Sequence, residues 1–399
     1  MKCRACFGER LFPFVDLGWQ PPSNDFAGGG RYQYPLKVVV CEDCGLGQLS
    51  EDVPPDHIFD EHYAYFSSTS PTWVADRKAL AKRMTNECRL RHDELVIDIG
   101  GNDGYYLKHF LGTCRVLNVE PSESVAKVAV EEGIETRVEF WGAETCKGIE
   151  AVLINATNVL AHTPDMDGMI AGIAGALAPN GIATLEFPLF SNLIVNNQLD
   201  TIYHEHYSYI SVKALRAVLE RHGLRIWRVE ELGTHGGSVR VFACKLSARF
   251  REEASVGRVA AGEVWAPNFD FQRQAHEVKT STLRYLAALG EQSTVVGYGA
   301  PAKATVLCNY LGLDNNFIQY TVDDSPAKQG KCIPGTNIPI VSFDYHAGRD
   351  TPHAIFVFAW NLLEPLAIKL RKHYAEKGVR GNALPTLVTA IPRLTITKI

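Results

Sequence analysis

Apolar residues along this chain fall into short, nearly continuous runs separated by longer amphipathic stretches. Leu95-Val96-Ile97-Asp98-Ile99 is one such run; it ends in Gly100-Gly101-Asn102-Asp103-Gly104, and Tyr105 to Phe110 reads as the start of a helix. Val116-Leu117-Asn118-Val119-Glu120 is a second run with an acid at its carboxyl end, and Val152 to Ala156 and Ile182 to Phe187 are two more. Helical patterns lie between and before them, notably Met166 to Leu177 and the charged stretch Trp73 to Leu90. Apolar strands alternating with helices predict a parallel sheet with helices on both faces. Ser238 to Cys244, alternating again, is expected to complete that sheet.

The flanks differ. Up to about Val53 the chain is turn-rich, with Pro21-Pro22-Ser23-Asn24 and Gly28-Gly29-Gly30, and one strand is predicted from Tyr34 to Val40. So small and looped a segment has little core of its own, and a bound metal would supply what burial does not. A polar, helix-prone stretch from about Arg249 to Leu289, broken at Ala266-Pro267-Asn268, leads into a second α/β pattern. Its strands are Thr294 to Gly299, Phe317 to Val322, Ala354 to Phe358 and Leu387 to Ala390; its helices are Ala302 to Tyr310 and Glu364 to His373. Three units are expected: 1–66, 67–249 and 250–399.

A length of 399 residues suits two or three domains with ample cores. The formal charge of −5 is small, which argues against a nucleic-acid groove or an anionic membrane surface as partner. No apolar stretch reaches membrane-spanning length and no signal peptide is seen, so a cytoplasmic protein is expected. Of ten cysteines, six are scattered singly and read as reduced core residues. The other four form two C-x-x-C pairs, Cys3/Cys6 and Cys41/Cys44, able to present four thiolates to a structural zinc ion with no open position for water.

The Gly100–Gly104 loop stands where a nucleoside cofactor binds in such sheets, but it is not the dinucleotide fingerprint. Asn102 replaces the second glycine, and Asp103 would face a pyrophosphate badly. Acids around the loop suit a cationic, phosphate-free cofactor, and Glu120 is placed to accept from two ribose hydroxyls. S-adenosylmethionine has that chemistry. Tyr203-His204-Glu205-His206-Tyr207 is too compact for helical zinc-site spacing and reads as general acid–base material. His162 lies past the end of a strand region, where active-site loops converge. His235-Gly236-Gly237-Ser238 is a turn that lets amides approach a ligand, and Gly297-Tyr298-Gly299-Ala300-Pro301-Ala302-Lys303 is a weak phosphate-loop pattern or a plain tight turn.

In order along the chain, the cysteine pairs, the I-G-x-N-D-G loop, the N-V-x-A-H segment, the Y-H-E-H-Y-S-Y run, the H-G-G-S-x-R turn and the G-Y-G-A-x-A-K loop occur together. This resembles the S-adenosylmethionine-dependent nucleotide-sugar C-methyltransferases of branched deoxysugar biosynthesis. The resemblance covers nearly the whole chain. It implies an α/β protein with a small zinc-binding N-terminal domain, a Rossmann-like methyltransferase domain and a C-terminal α/β domain that binds the nucleotide sugar, most simply a dTDP-linked keto sugar. Cys3, Cys6, Cys41 and Cys44 would hold zinc; Gly100, Asn102, Gly104, Glu120 and Asn158 the cofactor. Tyr203, Glu205, His206 and His162 would line the reaction centre, and Tyr63 or Tyr65, His235, Ala300 and Lys303 the substrate.

Carbon methylation at C3 of a 4-keto sugar needs a base at C3 and donors to the enolate oxygen. His206 is the candidate base, and His162 and Tyr203 are candidate donors. Glu205 either orients one of these or is itself the base. Rival readings are a nucleotide-sugar O- or N-methyltransferase, an NAD-linked sugar oxidoreductase using the Gly297 loop, and a zinc-dependent interaction module. Against the oxidoreductase, the loop lacks G-x-G-x-x-G, and no acid closes the following strand in the expected place, although Asp323-Asp324 follow the next one.

Overall fold

The computed structural model describes residues 1–54, 58, 66–69, 71–290 and 292–399, with the side chains of residues 69, 71, 72 and 235 outside the description. Among the described residues there are three sheets. The first begins as an antiparallel meander of β1 (Leu11–Gln20), β2 (Tyr34–Cys41) and β3 (Gly47–Leu49). β1 was not expected from the sequence. Its register against β2 shifts twice, between Pro13 and Val15 and between Asp16 and Trp19, so no clean period of two survives.

The central unit runs α1 (Pro71–Cys88), β4 (Leu95–Ile99), β5 (Arg115–Val119), α2 (Glu123–Glu131), β6 (Thr136–Arg137), β7 (Ala151–Thr157), α3 (Met166–Ala176), β8 (Leu177–Pro188), α4 (Phe190–Val195), β9 (Ser208–Tyr209), α5 (Val212–Arg221), β10 (Leu224–Leu232) and β11 (Ser238–Lys245). Its seven-stranded sheet has the order β10-β11-β8-β7-β4-β5-β6, with β4 to β8 parallel and β11 antiparallel to both of its neighbours. β4 is buried at every position, as a strand covered on both faces must be. The helix expected from Tyr105 is only one 3₁₀ turn, Leu107–Phe110, because Leu111 turns extended and Gly112 takes φ +77°. The chain steps outward through β5 and β6, then returns to add β7 on the other side of β4. That reversal opens a crevice at the carboxyl ends of β4 and β7. β9 leaves this unit and pairs with β3, so the first sheet is completed from the middle of the chain.

The last unit contains α6 (Ala254–Gly262), α7 (Phe271–Leu289), β12 (Val295–Tyr298), α8 (Ala302–Leu311), β13 (Thr321–Val322), β14 (Ile340–Val341), α9 (Phe343–Ala347), β15 (Ala354–Val357), α10 (Leu363–Glu376), β16 (Thr386–Thr389) and β17 (Thr395–Lys398). Its order is β14-β13-β12-β15-β16-β17, with β17 antiparallel at the edge. The expected strand from Phe317 is reduced to Thr321–Val322.

One apolar cluster joins the first sheet to this last unit. Phe14, Leu36 and Val38 pack with Leu199 and Ile202 from the central unit and with Phe271 and Val306 of α7 and α8. Phe14 stacks on Phe271 with ring centres 4.8 Å apart. The N-terminal segment therefore shares its core instead of closing one of its own. Elsewhere α1 is fixed by charge: the fully buried Arg77 donates to Thr157 Oγ1 at 2.9 Å and to Glu186 Oε2 at 2.8 Å, and Arg240 donates to the same Glu186 oxygen.

Candidate active site

The four cysteines converge. Cys3 and Cys6 sit in a tight loop closed by Phe7 N–H to Cys3 O, with Phe7 at φ +63°. Cys41 ends β2, and Gly45, at φ +79°, donates back to the Cys41 carbonyl. All four sulfurs lie within 4.8 Å of one another. Sulfurs so crowded do not ionise together without a cation between them: Cys3, bonded by Cys44, is held down to about 5, while burial pushes Cys6 up to about 11. Four convergent sulfurs match the tetrahedral preference of zinc. The knuckle is tied to the central unit by Arg221, whose guanidinium donates to Ala5 O, and by Arg4, which donates to Pro164 O.

At the crevice, four residues take the left-handed region: Gly100 (φ +61°), Asn102 (+53°) and Gly104 (+76°) after β4, and Asn158 (+56°) after β7. A Cβ at Gly104 would overlap Ile134, so glycine is required there on two counts. Glu120, directly after β5, accepts from Asn102 N–H at 3.1 Å and Ser122 N–H at 2.9 Å. Burial raises its pKa, and those two amides oppose the rise. Burial also pushes Asp98 up to about 7, although Asn155 donates to its Oδ1. The buried side-chain atoms left without partners around this loop and after β7 include Asp98 Oδ2, Asp103 Oδ1, Asn118 Oδ1 and Asn158 Oδ1, with the Tyr106 hydroxyl beyond them. The four carbonyl and carboxylate oxygens are acceptors. The set fits a ligand that donates hydrogen bonds and carries positive charge, and it does not fit phosphate. Ser67 N–H and Ser68 N–H donate to Asn102 Oδ1 and Asp103 Oδ2, so the segment just after residues 63 and 65 rests on the loop. Tyr63 and Tyr65 themselves lie outside the described residues.

Beyond Asn158, the turn Leu160–His162 carries His162 to the Tyr203–Tyr207 run. The ring of His206 is 3.9 Å from that of Tyr203 and 4.6 Å from that of His162, centre to centre. His206 Nδ1 lies 2.9 Å from the carbonyl oxygen of Thr201. A carbonyl only accepts, so Nδ1 bears a proton, and Nε2 is the nitrogen that carries the lone pair in the neutral ring. Three of the four expected reaction-centre residues thus meet.

Glu205 has different company. It is buried, and its carboxylate accepts from Ser23 Oγ at 2.9 and 2.8 Å and from Asn24 Nδ2 at 3.0 Å. His204 is buried against Tyr34, ring centres 6.0 Å apart, and burial lowers its pKa to about 4.

In the last unit, Lys303 Nζ lies 4.4 Å over the Trp360 ring, and Trp360 Nε1 donates to the buried Asp200 at 2.8 Å. The amide of Ala300, a residue that the resemblance places at the substrate, is taken by Asp323 Oδ2 at 2.7 Å. Asp323, noted in the sequence as following the next strand, comes directly after β13, and β13 pairs with β12; the acid therefore does close the strand after the glycine loop, which corrects the expectation that none stands in that place. The expected strand was right in kind, but only the structure shows that it neighbours the loop strand. The backbone of His235 lies in the turn Thr234–Gly236. Asp200 was not singled out by sequence, and Ser23 and Asn24 were read only as part of a turn, since their partners are distant along the chain.

No helix among the described residues is long and apolar enough to cross a membrane. Three family profiles match in succession: a zinc-binding domain over residues 3–59, a methyltransferase domain over 73–229 and a C-methyltransferase C-terminal domain over 233–390. C-methyltransferase NovU of Streptomyces niveus is 33% identical over 397 residues, which span 95% of this chain and 94% of that protein. Among solved structures, magnesium protoporphyrin IX methyltransferase of Synechocystis PCC 6803, with bound SAH, is 16% identical over 43% of this chain and 82% of its own, with a TM-score of 0.36. An S-adenosylmethionine-dependent methyltransferase of Clostridium acetobutylicum is 10% identical over 43% of this chain and 92% of its own, with a TM-score of 0.36. With a relative this similar along almost its whole length, the chain belongs to the C-methyltransferase family.

Proposed function

We propose that this methyltransferase transfers a methyl group to C3 of a nucleotide-linked 4-keto deoxysugar, most simply a dTDP sugar, through an enolate. The observation that carries the reading is the His206 imidazole, whose Nδ1 is committed to Thr201 O beside Tyr203 and His162. Nε2 of His206 takes the C3 proton. The Tyr203 hydroxyl and His162 donate to the oxygen at C4, where the charge collects. Glu205 orients this run. S-adenosylmethionine supplies an electrophilic methyl group; Gly100, Asn102, Gly104, Asn158 and Glu120 hold it, and the acceptor oxygens of Asp98, Asp103, Asn118 and Asn158 suit its amino, hydroxyl and sulfonium groups. Zinc on Cys3, Cys6, Cys41 and Cys44 is structural. Lys303 balances the diphosphate, with residues 250–399 as the nucleotide-sugar unit, 67–249 as the methyltransferase unit and 1–66 as the zinc unit.

The test is product analysis. Purified enzyme, S-adenosylmethionine and a dTDP-linked 4-keto deoxysugar should give a product with a new carbon–carbon bond at C3, seen by NMR. A methyl on oxygen or nitrogen would reject the enolate and leave the O- or N-methyltransferase reading.

A further inference from the structure

Glu205 is the one acid of the Tyr203–Tyr207 run and is buried, yet no ion pair to a Lys, Arg or His is formed by it among the described residues. Its hydrogen-bond donors beyond its own run are neutral, and both come from one turn of the N-terminal segment, Ser23 and Asn24. That turn is gripped in its own right from the far side: Thr305 Oγ1, buried in α8 two residues after Lys303, donates to Ser23 O at 2.8 Å. Three segments far apart in sequence meet in one chain of bonds, Thr305 to Ser23 to Glu205.

A buried carboxylate without its donors is strongly disfavoured, so Glu205 stays where it is only while Ser23 and Asn24 hold it. The next residue is His206, whose amide closes a turn on Tyr203 O and whose ring is held by Thr201 O. We propose that Ser23 and Asn24 are positioning residues for the reaction centre, acting through Glu205 to keep the His206 ring in its Nδ1–H tautomer on Thr201. This rests on the reading of His206 as the base, and it gives the zinc-bearing segment a part in activity that the metal alone does not. Thr305 extends the hold to the helix that carries Lys303.

Two measurements test it, and the first needs no substrate. Imidazole ¹⁵N NMR, with the His206 signal assigned through His206→Asn, should show the Nδ1–H form in the parent protein and a mixture of tautomers in both Ser23→Ala and Asn24→Ala. Ser23→Thr, which restores a hydroxyl, should return the parent pattern. The second is a double-mutant cycle on methyl transfer. Ser23→Ala should lower kcat by about tenfold or more, with zinc content and S-adenosylmethionine affinity unchanged, yet add nothing in a Glu205→Gln background. If Ser23→Ala fails to fold, Thr305→Val enters the same two measurements in its place. An unchanged His206 tautomer in these variants, or full additivity with Glu205→Gln, overturns the proposal. Methylation found on oxygen or nitrogen would reject the enolate while leaving these two results to stand or fall separately.

Discussion

The Nδ1 of His206 lies 2.9 Å from the carbonyl oxygen of Thr201, and this one bond assigns the ring's chemistry. With Nδ1 as donor, Nε2 is the basic nitrogen, and the proposed enolate gives a partial reaction to follow. In heavy water, enzyme and 4-keto sugar nucleotide should exchange the C3 hydrogen, with S-adenosylhomocysteine present to fill the crevice. His206→Asn should slow both exchange and methylation by about 10²–10⁴-fold. Exchange at the parent rate with methylation lost would move the base role to another residue.

Glu120 offers a second measurement. Its two oxygens already accept Asn102 and Ser122 amides, and each retains a lone pair for a ligand hydroxyl. Glu120→Ala should weaken S-adenosylmethionine binding about 10- to 100-fold, as expected from losing a charge-assisted hydrogen bond of roughly 1.5–3 kcal/mol. Unchanged affinity in calorimetry would place the ribose elsewhere.

Much of this crevice could be read from sequence because its parts are local. An apolar strand, a glycine loop and an acid two strand-lengths on all lie between Leu95 and Glu120, and each leaves its own mark. β10 left none: Arg225, Arg228, Glu230 and Glu231 interrupt its apolar positions, and their charges are satisfied by partners such as Glu87, Arg83 and Glu253, which only the fold brings near. The hold on Glu205 was equally invisible, since Ser23 lies 182 positions away. The Tyr203–Tyr207 run was legible as chemistry, but nothing in its spacing separates His206, which meets the rings of Tyr203, His162 and Tyr209, from Glu205, which faces the N-terminal turn.

The cysteine cluster predicts one zinc per chain. Cys41 ends β2, β2 pairs with β3, and β3 pairs with the Ser208–Tyr209 strand two residues past His206. Cys41→Ser, or removal of metal by a chelator, should therefore lower thermal stability and turnover together, although no cysteine is among the proposed reacting residues. Elemental analysis reads the stoichiometry. A metal-free protein of full activity and unchanged melting would rule zinc out.

Glu186 bridges two buried guanidiniums, those of Arg77 and Arg240. Removing it strands both charges in the core. Glu186→Ala should cost about 3–5 kcal/mol in denaturant unfolding, whereas a surface pair such as Lys127–Glu131 should contribute about 1 kcal/mol or less. A small effect at Glu186 would mean that Asp76, which also contacts both arginines, compensates the loss.

His204 sets a pH dependence whose sign follows from its burial. The folded protein holds its pKa down at about 4, below the ordinary 6.5. Above pH 6.5 the imidazole is neutral in both folded and unfolded chains and has no effect on their balance. As pH falls below 6.5 the unfolded chain takes up a proton that the folded chain refuses until about pH 4, so stability is lost across that window, by about 2 kcal/mol at pH 5. Asp98, pushed up to about 7, works in the opposite direction, regaining stability as pH falls from 7 towards 4. A comparison with His204→Phe, which keeps a ring beside Tyr34, cancels the Asp98 contribution because both proteins carry it. Urea unfolding at pH 7 and pH 5 should show the parent losing about 2 kcal/mol more than the variant. Equal losses would mean that His204 takes up its proton in the folded protein near the ordinary value, and that the space around it opens to water on acidification.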